Sequence, residues 1–128
     1  MTKKTYTGIN IQWPISRKIL SGEKSIETRF YPIPSKYLNQ EMLLIETPGY
    51  QGKFKSRITA IIKFTKCFKY KDPKSFYADY HRHFVDKNSP WAWDKPKYGW
   101  CVEVVRVINP PQVFEERKGI VYTRGIWV

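Results

Sequence analysis

The sequence predicts an α+β fold, a small mixed β-barrel with two or three short helices. A chain of 128 residues suits one domain that spans 1–128, since a domain of this size buries roughly two-thirds of its unfolded surface. Several segments alternate apolar and polar residues with the period of a half-buried strand. Two others have the proline, apolar spacing and capping residues of short helices. One strand exceeds the usual five or six residues, and a bent long strand suits a barrel.

Three elements open the chain. Residues 9–13 alternate apolar and polar side chains, which predicts a strand buried on one side. Pro14 suits the first turn of a short helix, and Gly22 is placed to form its C-terminal cap. A second strand follows over Ser25 to Tyr31, and its side chains alternate between two faces. One face has Ser25, Glu27, Arg29 and Tyr31, and the other has Ile26, Thr28 and Phe30.

The middle of the chain predicts two further strands. Pro32 and Pro34 break the preceding strand and predict a loop. Residues 42–46, with the apolar run Met42 to Ile45, are typical of a buried strand. The clearest strand runs from Arg57 to Tyr70, with apolar side chains on its even face: Ile58, Ala60, Ile62, Phe64, Phe68 and Tyr70. Lys66 is out of phase with this pattern, which predicts a β-bulge at that position.

The last part of the chain predicts one helix and two strands. The pair Asp72-Pro73 predicts the N-cap and first turn of a short helix. The buried side of this helix comprises Phe76, Tyr77 and Tyr80. Residues 99–108 predict a strand, which the pair Pro110-Pro111 ends. Residues 119–128 predict a closing strand.

The charge balance predicts an anionic partner. The chain has 23 Lys and Arg residues against 11 Asp and Glu residues, a formal net charge of +12. Such an excess favours nucleic acid as the partner. The excess is densest between Lys53 and Lys74, where Asp72 is the one acid. Six residues are predicted to contact a nucleic-acid backbone: Arg17, Lys18, Lys53, Lys55, Lys63 and Lys69.

The sequence predicts a cytoplasmic protein without a membrane span. No apolar run approaches the roughly 18 residues of a membrane-spanning helix. The basic N-terminal residues are followed by no apolar segment that would make them a signal peptide. Cys67 and Cys101 lack the spacing of a zinc site or of a disulfide scaffold, and we expect two buried thiols.

The most informative stretch is GEKSIETR, residues 22–29. It places Lys24 at the exit of the first helix, and Glu27 and Arg29 on one face of the following strand. These two residues lie roughly 7 Å apart along the strand, because each residue rises about 3.3 Å. We expect the three charged groups to line one hollow that binds a polar planar group or a phosphate. An ion pair that joins the helix exit to the barrel is the alternative.

This stretch resembles the signature of the ASCH family, which is named for homology to a transcription coactivator and reads GxKxxExR. Gly22, Lys24, Glu27 and Arg29 match it. The segments WPISRKIL, YGWCVEVVRVINPP and GIW also resemble the family, so the resemblance covers most of the chain, with residues 47–97 the least similar. It implies a single ASCH domain, a PUA-like β-barrel with a cleft near the motif.

The resemblance also implies functions. The fold is similar to that of modules that bind RNA or hold a modified base. Some members resemble an amidohydrolase of acetylated cytidine, and others a single-strand ribonuclease. In the amidohydrolase the nucleophile is a threonine beside the motif lysine, at the position that Glu27 has here. This departure weighs against the same chemistry.

Aromatic residues and histidines follow the second helix. Trp91 and Trp93 lie among lysines on a proline-bounded loop, where exposed indoles stack on the bases of single strands or splayed nucleotides. Closure of one end of the barrel by these indoles is the alternative. His81 and His83 lack a third ligand and are predicted to be surface residues, or contacts to phosphate that strengthen in mild acid. No metal site and no cofactor are predicted.

These observations predict that the protein binds RNA, another single-stranded nucleic acid or a modified nucleotide. The predicted ligand-binding residues are Lys24, Ser25, Glu27, Arg29, Tyr31, Trp91 and Trp93. The alternative is a small hydrolase that acts on RNA or on an acylated nucleoside. In that case Lys24 and Glu27 form the catalytic proton-transfer pair and Arg29 stabilises developing negative charge. A third interpretation is docking of the basic face to an acidic protein.

Overall fold

The computed structural model describes residues 4–50, 52–114 and 121–128. Within these ranges the strands are β1 Thr5–Gln12, β2 Ile26–Arg29, β3 Glu41–Thr47, β4 Arg57–Lys69, β5 Tyr98–Val113 and β6 Tyr122–Trp127. The helices are α1 Ile15–Leu20, α2 Pro73–Ala78 and α3 Tyr80–His83, with a 3₁₀ turn at Ser35–Tyr37. None of the helices in this described part is long and apolar enough to span a lipid bilayer.

The strands form one mixed sheet in the order β2-β5-β4-β3-β1-β6. β1 and β3 are parallel, and the other neighbouring strands are antiparallel. The prediction of a mixed sheet with a few short helices is therefore confirmed. The outer strands β2 and β6 do not pair with each other in the described residues, so the sheet is not closed there and the predicted barrel is not confirmed.

The long strand β4 is bulged and is buried on both faces. Its register against β5 shifts between Phe64 and Lys66, which confirms the predicted bulge. The prediction that β4 buries one face was wrong, because the odd-numbered Thr59 and Ile61 are also buried. The reason is a second apolar cluster, in which Ile61 packs with residues of β3 and β6. A larger cluster that includes residues of β1, β3, β4 and β5 surrounds Trp100.

Capping residues define the helices. Gly22 has φ +84° and donates its N–H to the Ile19 carbonyl at 3.1 Å, which agrees with its predicted capping role. Asp72 caps α2, since its carboxylate accepts from the Ser75 N–H at 2.7 Å. Phe76 is buried as predicted, but Tyr80 is 42% exposed and begins α3. The helix breaks at Asp79, so Tyr80 no longer follows the apolar side of α2.

The last two strands differ from prediction in their bounds. β5 continues through Pro110 and Pro111 to Val113, because it resumes pairing with β4 at Gln112 and Val113 after a register shift. In the described residues the pairing of β2 with β5 ends at Cys101, so one edge of β5 is unpaired beside the two prolines. The backbone N–H that proline lacks is therefore not needed for a hydrogen bond to a neighbouring strand on that edge. β6 covers residues 122–127 of the predicted closing strand, whose residues 119 and 120 lie outside the described residues.

Candidate functional site

A cavity of about 380 Å³ lies where β1, β2 and the segment before β5 meet. We call it the first cavity. Its walls include five of the seven residues predicted to bind a ligand: Lys24, Glu27, Arg29, Tyr31 and Trp91. Its other walls are Asn10, Ile11, Gln12, Ile15, Thr28, Phe30, Val85, Lys97 and Val121.

Lys24 is 3% exposed, which is unusual for an ammonium group. Its Nζ donates to the backbone carbonyl of His83 at 2.7 Å and lies 3.6 Å from Glu27 Oε1. Burial lowers the pKa of Lys24, and the attraction of Glu27 opposes that shift. Loss of a proton from the Lys24 ammonium is therefore easier in the folded chain than in water.

Glu27 lies between the two cations. Its Oε1 accepts from the Thr28 N–H at 3.1 Å, and its Oε2 accepts from Arg29 Nη2 at 3.4 Å. Glu27 and Arg29 therefore share one face of β2, as the alternation predicted. Arg29 also lies 5.7 Å from the centre of the Trp100 ring. Its buried Nε has no hydrogen-bond partner among the described residues, whereas the side chain as a whole is 21% exposed.

Aromatic side chains flank the charged group. Tyr31 packs edge-on against the buried Trp100, with ring centres 5.6 Å apart. Trp91 is 43% exposed at the mouth of the first cavity. Trp100 itself belongs to the core. The first cavity thus combines three cationic side chains, one carboxylate and exposed aromatic surface.

Ser25 and Trp93 lie outside the first cavity. The backbone of Ser25 joins two elements, because its N–H donates to the Arg82 carbonyl and its carbonyl accepts from the Val102 N–H. Trp93 packs against Phe76 with ring centres 5.6 Å apart. Its indole therefore belongs to the small cluster around α2 and not to the wall of the first cavity.

Four polar residues of the first cavity were missed by sequence reasoning: Asn10, Gln12, Thr28 and Lys97. In the sequence, Asn10 and Gln12 mark only the polar positions of an alternating strand, and Thr28 falls on the face opposite Glu27. Lys97 is 6% exposed, and its Nζ lies 3.4 Å from Asp94 Oδ1. Nothing in the sequence distinguishes this buried lysine from the many exposed lysines of the chain. A signal existed for the β1 pair, since uncharged amides on a strand next to the motif suit hydrogen bonding to a ligand.

His83 was predicted to be a surface residue, and that prediction was wrong. It is fully buried and stacks on Phe76 with ring centres 4.2 Å apart. Its Nε2 donates to the Phe76 carbonyl at 2.6 Å, and its Nδ1 accepts from the Val85 N–H at 2.9 Å. Burial lowers the pKa of His83. The buried ring fixes the turn after α3. This turn directs the His83 carbonyl to Lys24 and places Val85 in the wall of the first cavity.

The remaining histidine and the cysteines offer no metal site in the described part of the chain, where no group of three or more His, Cys, Asp or Glu could hold an ion. His81 is exposed, as predicted. Cys67 and Cys101 are free thiols, as expected, but both are half-buried because they lie beside the bulge of β4. Cys67 Sγ accepts from the Ile33 N–H at 3.5 Å.

The predicted backbone-contacting residues do not form one patch. Lys18 lies on α1, with its Nζ 4.8 Å from the Phe84 ring centre. Lys63 is half-buried and pairs in register with Glu41 on one side and Glu103 on the other. Exposed positions are occupied by Arg17, Lys53, Lys55 and Lys69. Two of the six, Arg17 and Lys18, are on the helix that adjoins the first cavity.

Comparison with known proteins identifies the fold. No family model and no curated protein matches the sequence. A solved structure, that of a mutant of ZmASCH from Zymomonas mobilis, is similar with a TM-score of 0.58. The identity is 15%, and the alignment covers 90% of this chain and 92% of that chain. Likeness at this identity shows the fold and assigns no activity. The chain therefore has the fold of an ASCH domain protein, in agreement with the resemblance of its GEKSIETR motif.

Proposed function

We propose that the protein binds RNA, another single-stranded nucleic acid or a modified nucleotide, and that one base enters the first cavity. The observation that carries this proposal is the convergence of Lys24, Glu27 and Arg29 on one solvent-reachable hollow. A purely structural ion pair would not need a cavity of about 380 Å³ beside it. The net charge of +12 and the ASCH-like fold support the same proposal.

The chemistry of the walls suits a nucleobase with its phosphate. The Glu27 carboxylate is an acceptor for an exocyclic amine, such as that of cytosine. The Arg29 guanidinium, whose side chain is 21% exposed, is a donor for a phosphate or carbonyl oxygen. Tyr31 and Trp91 offer ring faces or edges for stacking. Asn10 and Gln12 add amide donors and acceptors that read the edge of a planar group.

The basic surface supplies the phosphate contacts in this proposal. Arg17 and Lys18 are on α1, whose Ile15 lines the first cavity, whereas Lys53, Lys55 and Lys69 occupy exposed positions elsewhere and contact further phosphates of the bound strand. Lys63 is expected to contribute less than these, because Glu41 and Glu103 neighbour it across the sheet. The affinity for nucleic acid should therefore fall as the salt concentration rises. Replacement of Lys63 should change this affinity only slightly.

Fluorescence anisotropy with a labelled single-stranded RNA tests the proposal. If about five phosphates are neutralised, log affinity should fall against log salt with a slope near −3.5, at about −0.7 for each contact. Arg29→Ala should weaken binding at least tenfold, about the effect of one charged hydrogen bond. The matched control is Arg124→Ala, which removes the same charge from an exposed position outside the first cavity. A flat salt response, or equal losses in the two variants, would refute the proposal.

One observation favours the hydrolase as a second candidate. Lys24 has a lowered pKa and lies 3.6 Å from a carboxylate, an arrangement that suits proton transfer. The test is incubation of the pure protein with labelled single-stranded RNA and with acetylated cytidine, beside the Lys24→Ala variant. Turnover by the wild type that disappears in the variant would support the enzyme. Intact substrates in both samples would support the binding function.

We propose a PUA-like barrel in which the curled sheet wraps the Trp100 cluster, since both faces of β3 and β4 are buried. Cytoplasmic residence agrees with the two free thiols, which a reducing compartment maintains.

A further inference from the structure

A second cavity of about 430 Å³ adjoins the first. The two cavities share walls formed by Gln12, Ile15, Lys24, Val85 and Trp91. The second cavity extends from this common wall past Trp13, Pro14 and Phe84 to Tyr50. The two cavities are therefore neighbouring parts of one groove, and each has the volume of a drug-sized ligand site.

The walls of the second cavity are unusually aromatic for exposed surface. Tyr50 is fully exposed, at 102% of its reference area, on the turn that follows Gly49. Trp91 is 43% exposed, and Phe84 is half-buried at the end of α3. Leaving several rings in water forgoes the burial that aromatic side chains otherwise gain. Grouped exposed rings of this kind mark a surface that a ligand or partner covers.

Charge at the second cavity favours an anion with a planar group. Lys18 is in its wall, with its Nζ over the Phe84 ring and its side chain 44% exposed. Glu23 lies 3.9 Å from the same Nζ, a weak exposed pair that a phosphate can replace. The other charged wall residue besides the shared Lys24 is Asp86, whose Oδ1 accepts from the Asn88 N–H at 2.9 Å.

We propose that the second cavity binds the base of the neighbouring nucleotide, so that the ligand is at least two consecutive nucleotides of a single strand. This inference rests on the proposed function of the first cavity. Trp91, which faces both cavities, separates the two bases. Tyr50 stacks on the second base, and Lys18 contacts a phosphate beside it. Single strands suit this site because their bases are free to splay apart onto separate ring faces.

Isothermal titration calorimetry tests the inference with four probes: cytidine monophosphate, adenosine monophosphate and the dinucleotides CpC and ApA. For the preferred base, the dinucleotide should bind about tenfold more tightly than the mononucleotide, which is the gain from stacking one base on an aromatic side chain. Tyr50→Ala should remove most of that gain and leave mononucleotide affinity within twofold. The control is Trp127→Ala, which removes a ring that is 59% exposed on β6, outside both cavities.

The outcomes separate the two proposals. If mononucleotides bind and Arg29→Ala abolishes this binding, but dinucleotides bind no more tightly, the second cavity is not a nucleotide site and the proposed function survives. The same conclusion follows if Tyr50→Ala and Trp127→Ala have equal effects. If no probe binds, or if Arg29→Ala leaves all affinities unchanged, the proposed function itself fails. Tyr50 is fully exposed, so misfolding of its variant, checked by circular dichroism, is not expected.

Discussion

Replacing Lys24 tests whether the charged group is built around a buried ammonium. Lys24→Met keeps the length and apolar stem of the side chain but removes the charge and the 2.7 Å hydrogen bond to the His83 carbonyl. It also removes one of the two cations beside Glu27. A charged hydrogen bond contributes about 1.5–3 kcal/mol net, and loss of one partner leaves a buried acceptor unsatisfied. We therefore expect the free energy of unfolding to fall by about 2 kcal/mol.

Full loss of a buried ion pair by removal of one partner would cost more, about 3–5 kcal/mol. The smaller figure applies here because Arg29 Nη2 remains 3.4 Å from Glu27 and still compensates its charge. For a domain of this length the expected loss corresponds to a decrease in Tm of roughly 6–10 °C. The double variant Lys24→Met with Glu27→Gln should be less destabilised than the sum of the two single variants, because the pair interacts directly.

Urea unfolding followed by tryptophan fluorescence measures these differences. Lys18→Met is the matched control, because Lys18 is 44% exposed and its ion pair with Glu23 spans 3.9 Å. Its effect should stay within about 0.5 kcal/mol. If Lys24→Met proves as stable as the wild type, Lys24 is not held by the contacts described above. Additive effects in the double variant would mean that Lys24 and Glu27 are not coupled.

Two further predictions concern His83 and Gly22. Because burial lowers the pKa of His83 below its ordinary 6.5, the unfolded chain binds more protons as the pH falls through 6.5, so the free energy of unfolding should decrease in mild acid. Urea titrations at pH 7.5 and 5.5 should show a smaller difference for His83→Gln than for the wild type, while the exposed His81→Gln should match the wild type. Gly22→Ala should lower the free energy of unfolding by about 1 kcal/mol, because a φ of +84° is unfavourable for alanine. No steric clash adds to this cost, since no neighbouring atom lies within 4 Å of the added Cβ. Gly22→Asn should recover part of that loss, and equal stability of Gly22→Ala and the wild type would contradict the left-handed cap.

Local patterns in the sequence predicted the parts of the fold that depend on near neighbours. The cap at Gly22, the Asp72-Pro73 start of α2 and the bulge at Lys66 each depend on a few consecutive residues. The common face of Glu27 and Arg29 likewise follows from the two-residue period of a strand. These features are confirmed because no distant segment alters them.

Other features depended on which segments meet. The period of β4 predicted one buried face, but its position between β3 and β5 buries both. Pro110 and Pro111 predicted the end of a strand, but among the described residues one edge of β5 is unpaired there and tolerates them. Within the described residues β2 and β6 do not pair, and whether they do likewise depends on strands from opposite ends of the chain.

The sequence by itself determined that Lys24, Glu27 and Arg29 would come close together, since eight consecutive residues and one turn bring them to the same face. Only the tertiary structure decided what surrounds them. Pairing of β1 with β3 brings Asn10 and Gln12 to the first cavity. His83 at the end of α3 is buried against Phe76, and in this position the His83 carbonyl accepts a hydrogen bond from Lys24. The physical reason is separation along the chain: contacts between residues 59 positions apart leave no periodic trace in either segment.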